Sequence, residues 1–136
     1  MKKLLIPILI LGLLVQGIAQ QPKEETRNVF FGGGSYYIDN EQISELNDFV
    51  KNIKNIEYYD VIIISHTDNI GGKEYNQWLS DMRSRSVIQQ LKRMGVLSES
   101  IKYRSDGLEN PTFKNDTNLG RMRNRRVDII FTPIVF

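Results

Sequence analysis

The run Val61-Ile62-Ile63-Ile64 constrains this chain more than any other feature. Four consecutive β-branched residues, followed by the polar Ser65, His66, Thr67 and Asp68, read as a strand buried on both faces that ends at Ser65. In open α/β sheets ligands collect outside the carboxyl ends of strands, so a carboxylate at Asp68, just past the strand end, points to a binding site. The residues that follow suit an amphipathic helix. Leu79, Met82, Val87, Leu91 and Met94 recur at helical spacing as a core-facing stripe, and Asn76, Ser80 and Arg83 form a polar row beside it. A long side chain on a helix leans toward the helix N-terminus, so Arg83 is expected to reach back toward the strand end. Two arrangements fit that placement. Asp68 and Arg83 could pair as a structural ion pair. Alternatively they could hold a zwitterion between them, the guanidinium gripping a carboxylate and Asp68 accepting from an ammonium group.

Elsewhere the pattern predicts further elements of the same kind. Val29-Phe30-Phe31 begins a first strand, interrupted by Gly32-Gly33-Gly34 and resumed at Tyr36-Tyr37-Ile38. Asp39 can cap a first helix with Gln42 as reciprocal partner, and Ile43, Leu46, Val50 and Ile53 form its buried stripe. A third strand is expected over Ile101 to Arg104. A loop with Gly107, Pro111 and Asn115 then leads to a short helix around Leu119 to Asn124. The last strand starts at Val127 and runs to about Val135, with Pro133 requiring an edge position or a bulge. Strand, helix, strand, helix, strand, short helix, strand is the order of an α/β (α+β) two-layer sandwich, with a mixed sheet packed on two main helices.

Residues 1–20 have the order of regions of a secretory signal peptide: Lys2-Lys3, an apolar core from Leu4 to Val15, then Gly17-Ile18-Ala19-Gln20. Cleavage after Ala19 or Gln20 is expected, the apolar core being short for a membrane span; an uncleaved anchor is the alternative. The organisation is then a leader over 1–20, a short polar linker over 21–27 and one domain over 28–136. With no cysteine there is no lipobox and no disulfide. Without Lys2 and Lys3 the 18 basic residues fall to 16, matching the 16 acidic ones, and this neutrality argues against bulk nucleic-acid binding. The charges are nonetheless segregated, with 5 basic and 11 acidic residues over 21–82 against 11 basic and 5 acidic over 83–136, a field suited to an anionic or zwitterionic polymer.

Three other function classes fit less well. Ser65 and His66 are neighbours in a strand and point to opposite faces, a poor arrangement for a nucleophile and its base, so no enzyme is expected. One histidine and no cysteine make a metal site improbable, and no cofactor is expected. Arg121, Arg123, Arg125 and Arg126 lack the interleaved aromatics of a nucleic-acid surface, and the leader contradicts that role.

The motifs together resemble the OmpA-like peptidoglycan-binding domain family. Thr67, Asp68 and Gly71, then Asn76, Leu79, Ser80 and Arg83, then Gly120, Arg121, Asn124, Arg125, Arg126 and Val127, with Pro111 and Asn115 between, carry a resemblance that covers roughly residues 28 to 135. It implies non-covalent binding of the peptidoglycan stem peptide through meso-diaminopimelate. Asp68 and Arg83 match the family's principal ligand positions, Thr67, Asn76 and Leu79 its pocket wall, and Arg121 and Arg126 its basic segment near the glycan. The implied place is the periplasm of a Gram-negative envelope, associated with the outer membrane, with an envelope protein partner to supply the link. The alternative is a structural subunit of an envelope or secretion assembly that keeps the fold without wall binding. The chain departs from the family pattern at Ser65 and Ser105, where glycine is usual, and at Ser84, where alanine is usual. In the Gly32-Gly33-Gly34 segment the family often has a polar ligand contact.

Overall fold

In the computed structural model, which describes residues 21–136, four strands form one mixed sheet in the order β1-β4-β2-β3. They are β1 (Glu25–Phe30), β2 (Tyr59–His66), β3 (Ile101–Gly107) and β4 (Arg126–Pro133). β4 lies antiparallel to both β1 and β2, while β2 and β3 are parallel. A parallel pair needs a long crossover, and helix α2 (Lys73–Arg93) supplies it. Helices α1 (Asn40–Asn52) and α3 (Asn118–Asn124) complete the expected order. The leader expected over residues 1–20 lies outside the described residues. Among the described residues, no helix is long and apolar enough to cross a membrane.

The core lies between one face of the sheet and the two long helices. Val29, Val61, Ile63, Val127, Ile129 and Phe131 supply the sheet side, Leu46 and Val50 come from α1, and Val87 and Leu91 from α2. The other face is only half covered. Ile62 and Ile64 are intermediate in exposure while Val61 and Ile63 are fully buried, so β2 is buried on one face and not on both. Across the strands Ile62 and Ile64 are flanked by Ile130 and Asp128 on β4 and by Lys102 and Arg104 on β3, and the two long cationic side chains are exposed, so their charges stay in water.

The first strand also differs from its sequence pattern. Glu25, Thr26 and Arg27 pair with Phe131, Ile130 and Ile129, so strand occupies the last three residues of the stretch expected as linker over 21–27. Hydrophobic alternation does not mark this end, because one face of β1 is open and the edge is polar. Nor does the strand resume after the glycines, since residues 35–39 are irregular. β4 stops at Pro133 opposite Tyr59, short of Val135, and the proline sits at the strand's last position without a bulge.

α1 begins as its sequence predicts. The Asp39 carboxylate accepts from the Gln42 main-chain N–H at 2.9 Å and from the Gln42 side-chain amide at 2.7 Å. Gln42 does not return the bond to the Asp39 N–H that a capping box requires; its Oε1 accepts from the Phe30 N–H at 2.7 Å and its Nε2 donates to the Phe30 carbonyl at 3.0 Å instead. One side chain thus ties the start of α1 to β1.

Candidate ligand-binding site

The end of β2 turns sharply. Its pairing with β3 shifts register between Ser65 and His66, and Gly107, at φ +58°, accepts from the Thr67 N–H at 2.8 Å. The Thr67 hydroxyl donates to the Asp68 carbonyl at 3.0 Å, and Asp68 Oδ1 accepts from the Ile70 N–H at 3.0 Å, closing a side-chain turn. Asn76, in the first turn of α2 and 1% exposed, donates to the carbonyls of Ile70 and Gly72 at 2.9 and 3.1 Å. Its Oδ1 is buried with no donor. Gly71, at φ +94°, must be glycine for a second reason, because a Cβ there would lie 2.9 Å from the Tyr75 ring. Leu79 is buried but stands outside the contiguous core cluster.

Arg83 is 0% exposed and does reach back to the strand end. Its Nη1 donates to the His66 carbonyl at 3.0 Å, its Nε to Ser35 at 2.8 Å and its Nη2 to Gly32 at 3.1 Å. The Phe31 ring lies 5.0 Å from the guanidinium carbon. Burial pushes the Arg83 pKa down to about 10; the Asp68 carboxylate opposes this, and Arg125 adds to it. The polar row Asn76, Ser80, Arg83 is therefore the inward face of the first half of α2, not a strip beside the core, and Met82 is only partly buried.

Asp68 and Arg83 do not bond to each other. Asp68 Oδ2 is bridged instead by Arg125, whose Nη1 lies 3.2 Å away and whose Nε donates to the Phe31 carbonyl at 3.0 Å. The sequence reading leaves Arg125 out of the site and puts Arg126 in. In the structure Arg126 forks onto Asp128 at 2.8 and 3.2 Å and donates to Thr112 at 3.0 Å, on the half-covered face of the sheet. Neighbours along an extended chain point to opposite sides, and that alternation is the available signal for choosing between the two arginines. Arg121 spends its guanidinium locally, donating to the Asn115 carbonyl at 2.7 Å and to the Asn118 side chain. The loop before α3 is held by buried Asn124, which exchanges hydrogen bonds with the main chain of Phe113 and donates to Asn115. Gly120 permits the tight return there, since a Cβ would meet the Lys114 carbonyl oxygen at 1.7 Å.

His66 and Ser65 face opposite ways, as the strand requires. His66 Nε2 lies 3.0 Å from Asp128 Oδ2, and its Nδ1 is buried without a partner. Burial raises the Asp128 pKa, but hydrogen bonds from His66 and Arg126 outweigh it and hold the carboxyl below its ordinary range. On the helix side, Ser84 donates to Ser65 at 2.8 Å, Ser65 donates to the Ser80 carbonyl at 2.7 Å, and the hydroxyls of Ser84 and Ser105 lie 3.3 Å apart. The three serines that depart from the family pattern thus form one hydrogen-bonded seam between α2, β2 and β3. Among the described residues no group of three or more His, Cys, Asp or Glu side chains is placed to hold a metal ion.

Comparison with known proteins bears on the fold and the family. The OmpA family model matches residues 30–125. The outer-membrane lipoprotein YfiB of Pseudomonas aeruginosa is 32% identical over 102 residues, covering 75% of this chain and 61% of that protein. Outer membrane protein A of Bordetella avium is 32% identical over 122 residues, covering 82% and 63%. Among solved structures, the peptidoglycan-associated lipoprotein from Burkholderia pseudomallei superposes with a TM-score of 0.72 at 26% identity, over 78% of this chain and 90% of that one. The chain spans just under two thirds of the length of these two curated relatives.

Proposed function

Because the chain belongs to the OmpA family, we propose that it binds cell-wall peptidoglycan non-covalently through the diaminopimelate of the stem peptide, as a periplasmic or outer-membrane-associated anchoring domain. One observation carries the reading: at the end of β2 a buried carboxylate, a fully buried guanidinium and a second, partly exposed guanidinium are gathered together with a buried amide oxygen that has no donor. A ligand ammonium answers both acceptors. It would bond to Asp68 and to Asn76 Oδ1, while the ligand carboxylate would meet Arg83, with Thr67 and Leu79 as walls. Access to Arg83 requires the main chain at Gly32 and Ser35 to give up its two hydrogen bonds, which the ligand carboxylate would replace at the guanidinium, and the adjoining glycines leave the backbone free of side-chain obstruction as it moves. The basic segment enters through Arg125 at Asp68, and Arg121 holds the adjoining loop.

The test is co-sedimentation of the protein with purified diaminopimelate-type sacculi, comparing wild type with Asp68→Asn. The amide keeps the turn acceptor for Ile70 but removes the charge. Truncating one partner of a buried charge pair costs about 2–5 kcal/mol, so at least a tenfold loss of affinity is expected. Equal binding by the variant would sink the clamp.

One observation favours the alternative, a subunit of an envelope or secretion assembly held by an outer-membrane or other envelope protein partner. The three Arg83 nitrogens already have main-chain acceptors, and Asp68 already has Arg125. On that reading wild type stays in the supernatant.

A further inference from the structure

The outward side of α2 carries features that the stem-peptide pocket does not use. Tyr75, Trp78 and Tyr36 are 45%, 49% and 41% exposed and touch in series, with ring centroids 5.9 Å apart at each step. Beyond them a groove of about 900 Å³ runs between α2 and the edge strand β3, lined by Tyr36, Met82, Arg85, Lys92, Arg93 and Tyr103. Tyr36 is fixed there by its carbonyl, which accepts from Ser86 at 2.9 Å, and Arg85 is steadied by Asp81 at 2.9 Å. The series begins at the pocket, because Tyr75 packs against Gly34 and Gly71, in the two loops that cover Arg83 and follow Asp68.

We infer that this aromatic and basic groove is a second contact for the same polymer, seating its glycan strand while the stem peptide occupies the pocket; this rests on the function proposed above. Each half-exposed ring offers an apolar face or edge to the C–H groups of pyranose rings, Tyr36 standing edge-on to Trp78 and Tyr75 tilted against it, and exposed apolar patches of this kind mark interaction sites. Charge selects the occupant. Three cations, Arg85, Lys92 and Arg93, line the groove's helix side, with Asp81 paired to Arg85 from outside it, and the glycan is bordered by the carboxylates of the stem peptides that branch from it. The basic residues expected near the glycan are already engaged, Arg126 with Asp128 and Arg121 with Asn115 and Asn118. The continuity from Tyr75 to Lys92 gives an extended chain a path away from the pocket along one helix.

Three probes separate the sites: intact sacculi, a soluble diaminopimelate-containing tripeptide, and glycan strands freed of peptides by an amidase, which leaves a free lactyl carboxylate on each stripped sugar. Trp78→Ala and the pair Lys92→Glu, Arg93→Glu should each weaken binding to sacculi at least tenfold and abolish binding to stripped glycan, while tripeptide affinity stays within twofold. Unchanged sacculus binding by both variants, a parallel loss of tripeptide, or wild-type protein that ignores stripped glycan would overturn the inference while the pocket reading stands. Glycan binding without tripeptide binding would do the reverse. A loss seen only on anionic phospholipid vesicles would reassign the groove to a membrane surface.

Discussion

Replacing Arg83 with alanine should unfold much of what surrounds the candidate pocket, whatever it does to binding. Three main-chain carbonyls, at Gly32, Ser35 and His66, depend on this one side chain. A hydrogen bond from a charged donor contributes about 1.5–3 kcal/mol, so the three together amount to about 4.5–9 kcal/mol. Water entering the space left by a fully buried side chain would satisfy some of the orphaned carbonyls, leaving a net loss of about 3–6 kcal/mol. A domain this size has about 5–15 kcal/mol in all, so the loss is a large fraction of the total. Urea denaturation followed by tryptophan fluorescence reads it directly. With a slope of about 1.5 kcal/mol per molar, the midpoint should fall by about 2–4 M. Arg83→Lys keeps the charge without the planar fork and should recover less than half. A loss below about 1 kcal/mol in the alanine variant would show that the three carbonyls do not need Arg83. The same reasoning makes Asp68 the better position for testing ligand binding.

Two further outcomes follow from the site. Ser65→Gly and Ser84→Ala should each cost about 1 kcal/mol, and the double variant less than their sum by about 0.5 kcal/mol or more, because each removes the other's partner; additive losses in thermal unfolding would refute the seam. The folded Asp128 carboxyl lies below its ordinary 3.8, so its contribution to stability is complete above that value and disappears as pH falls through the lower folded value. Wild type and Asp128→Asn should therefore differ in urea midpoint at pH 6 and converge in strong acid, and a constant gap across the range would contradict the assignment.

Much of this was legible in the chain itself. The Asp39 cap, the helix that carries Leu79, Val87 and Leu91, a strand through Val61–Ile64 that ends within one residue of Ser65 and the backward reach of Arg83 all follow from local rules of spacing and side-chain direction, and these do not depend on distant contacts. The misses are tertiary. Whether Asn76, Ser80 and Arg83 lie beside the core or within it depends on the carbonyls of residues 32 and 35, which approach from 51 and 48 residues before Arg83. The choice between Arg125 and Arg126 turns on a single step of alternation where α3 gives way to β4. The polar start of β1 and the half-covered Ile62 and Ile64 reflect a sheet with helices on one side only, which no run of residues announces.

The attachment of Gln42 to Phe30 bears on how this molecule behaves in company. β1 is an outer strand of the sheet, and outer strands present unpaired donors and acceptors that recruit a neighbouring chain. At Phe30, half-exposed and apolar, both main-chain groups are occupied by the Gln42 amide as if by the next strand. The sheet is thereby terminated at its most adhesive point from within the same chain, so copies crowded onto one surface can lie side by side without their sheets fusing at that end.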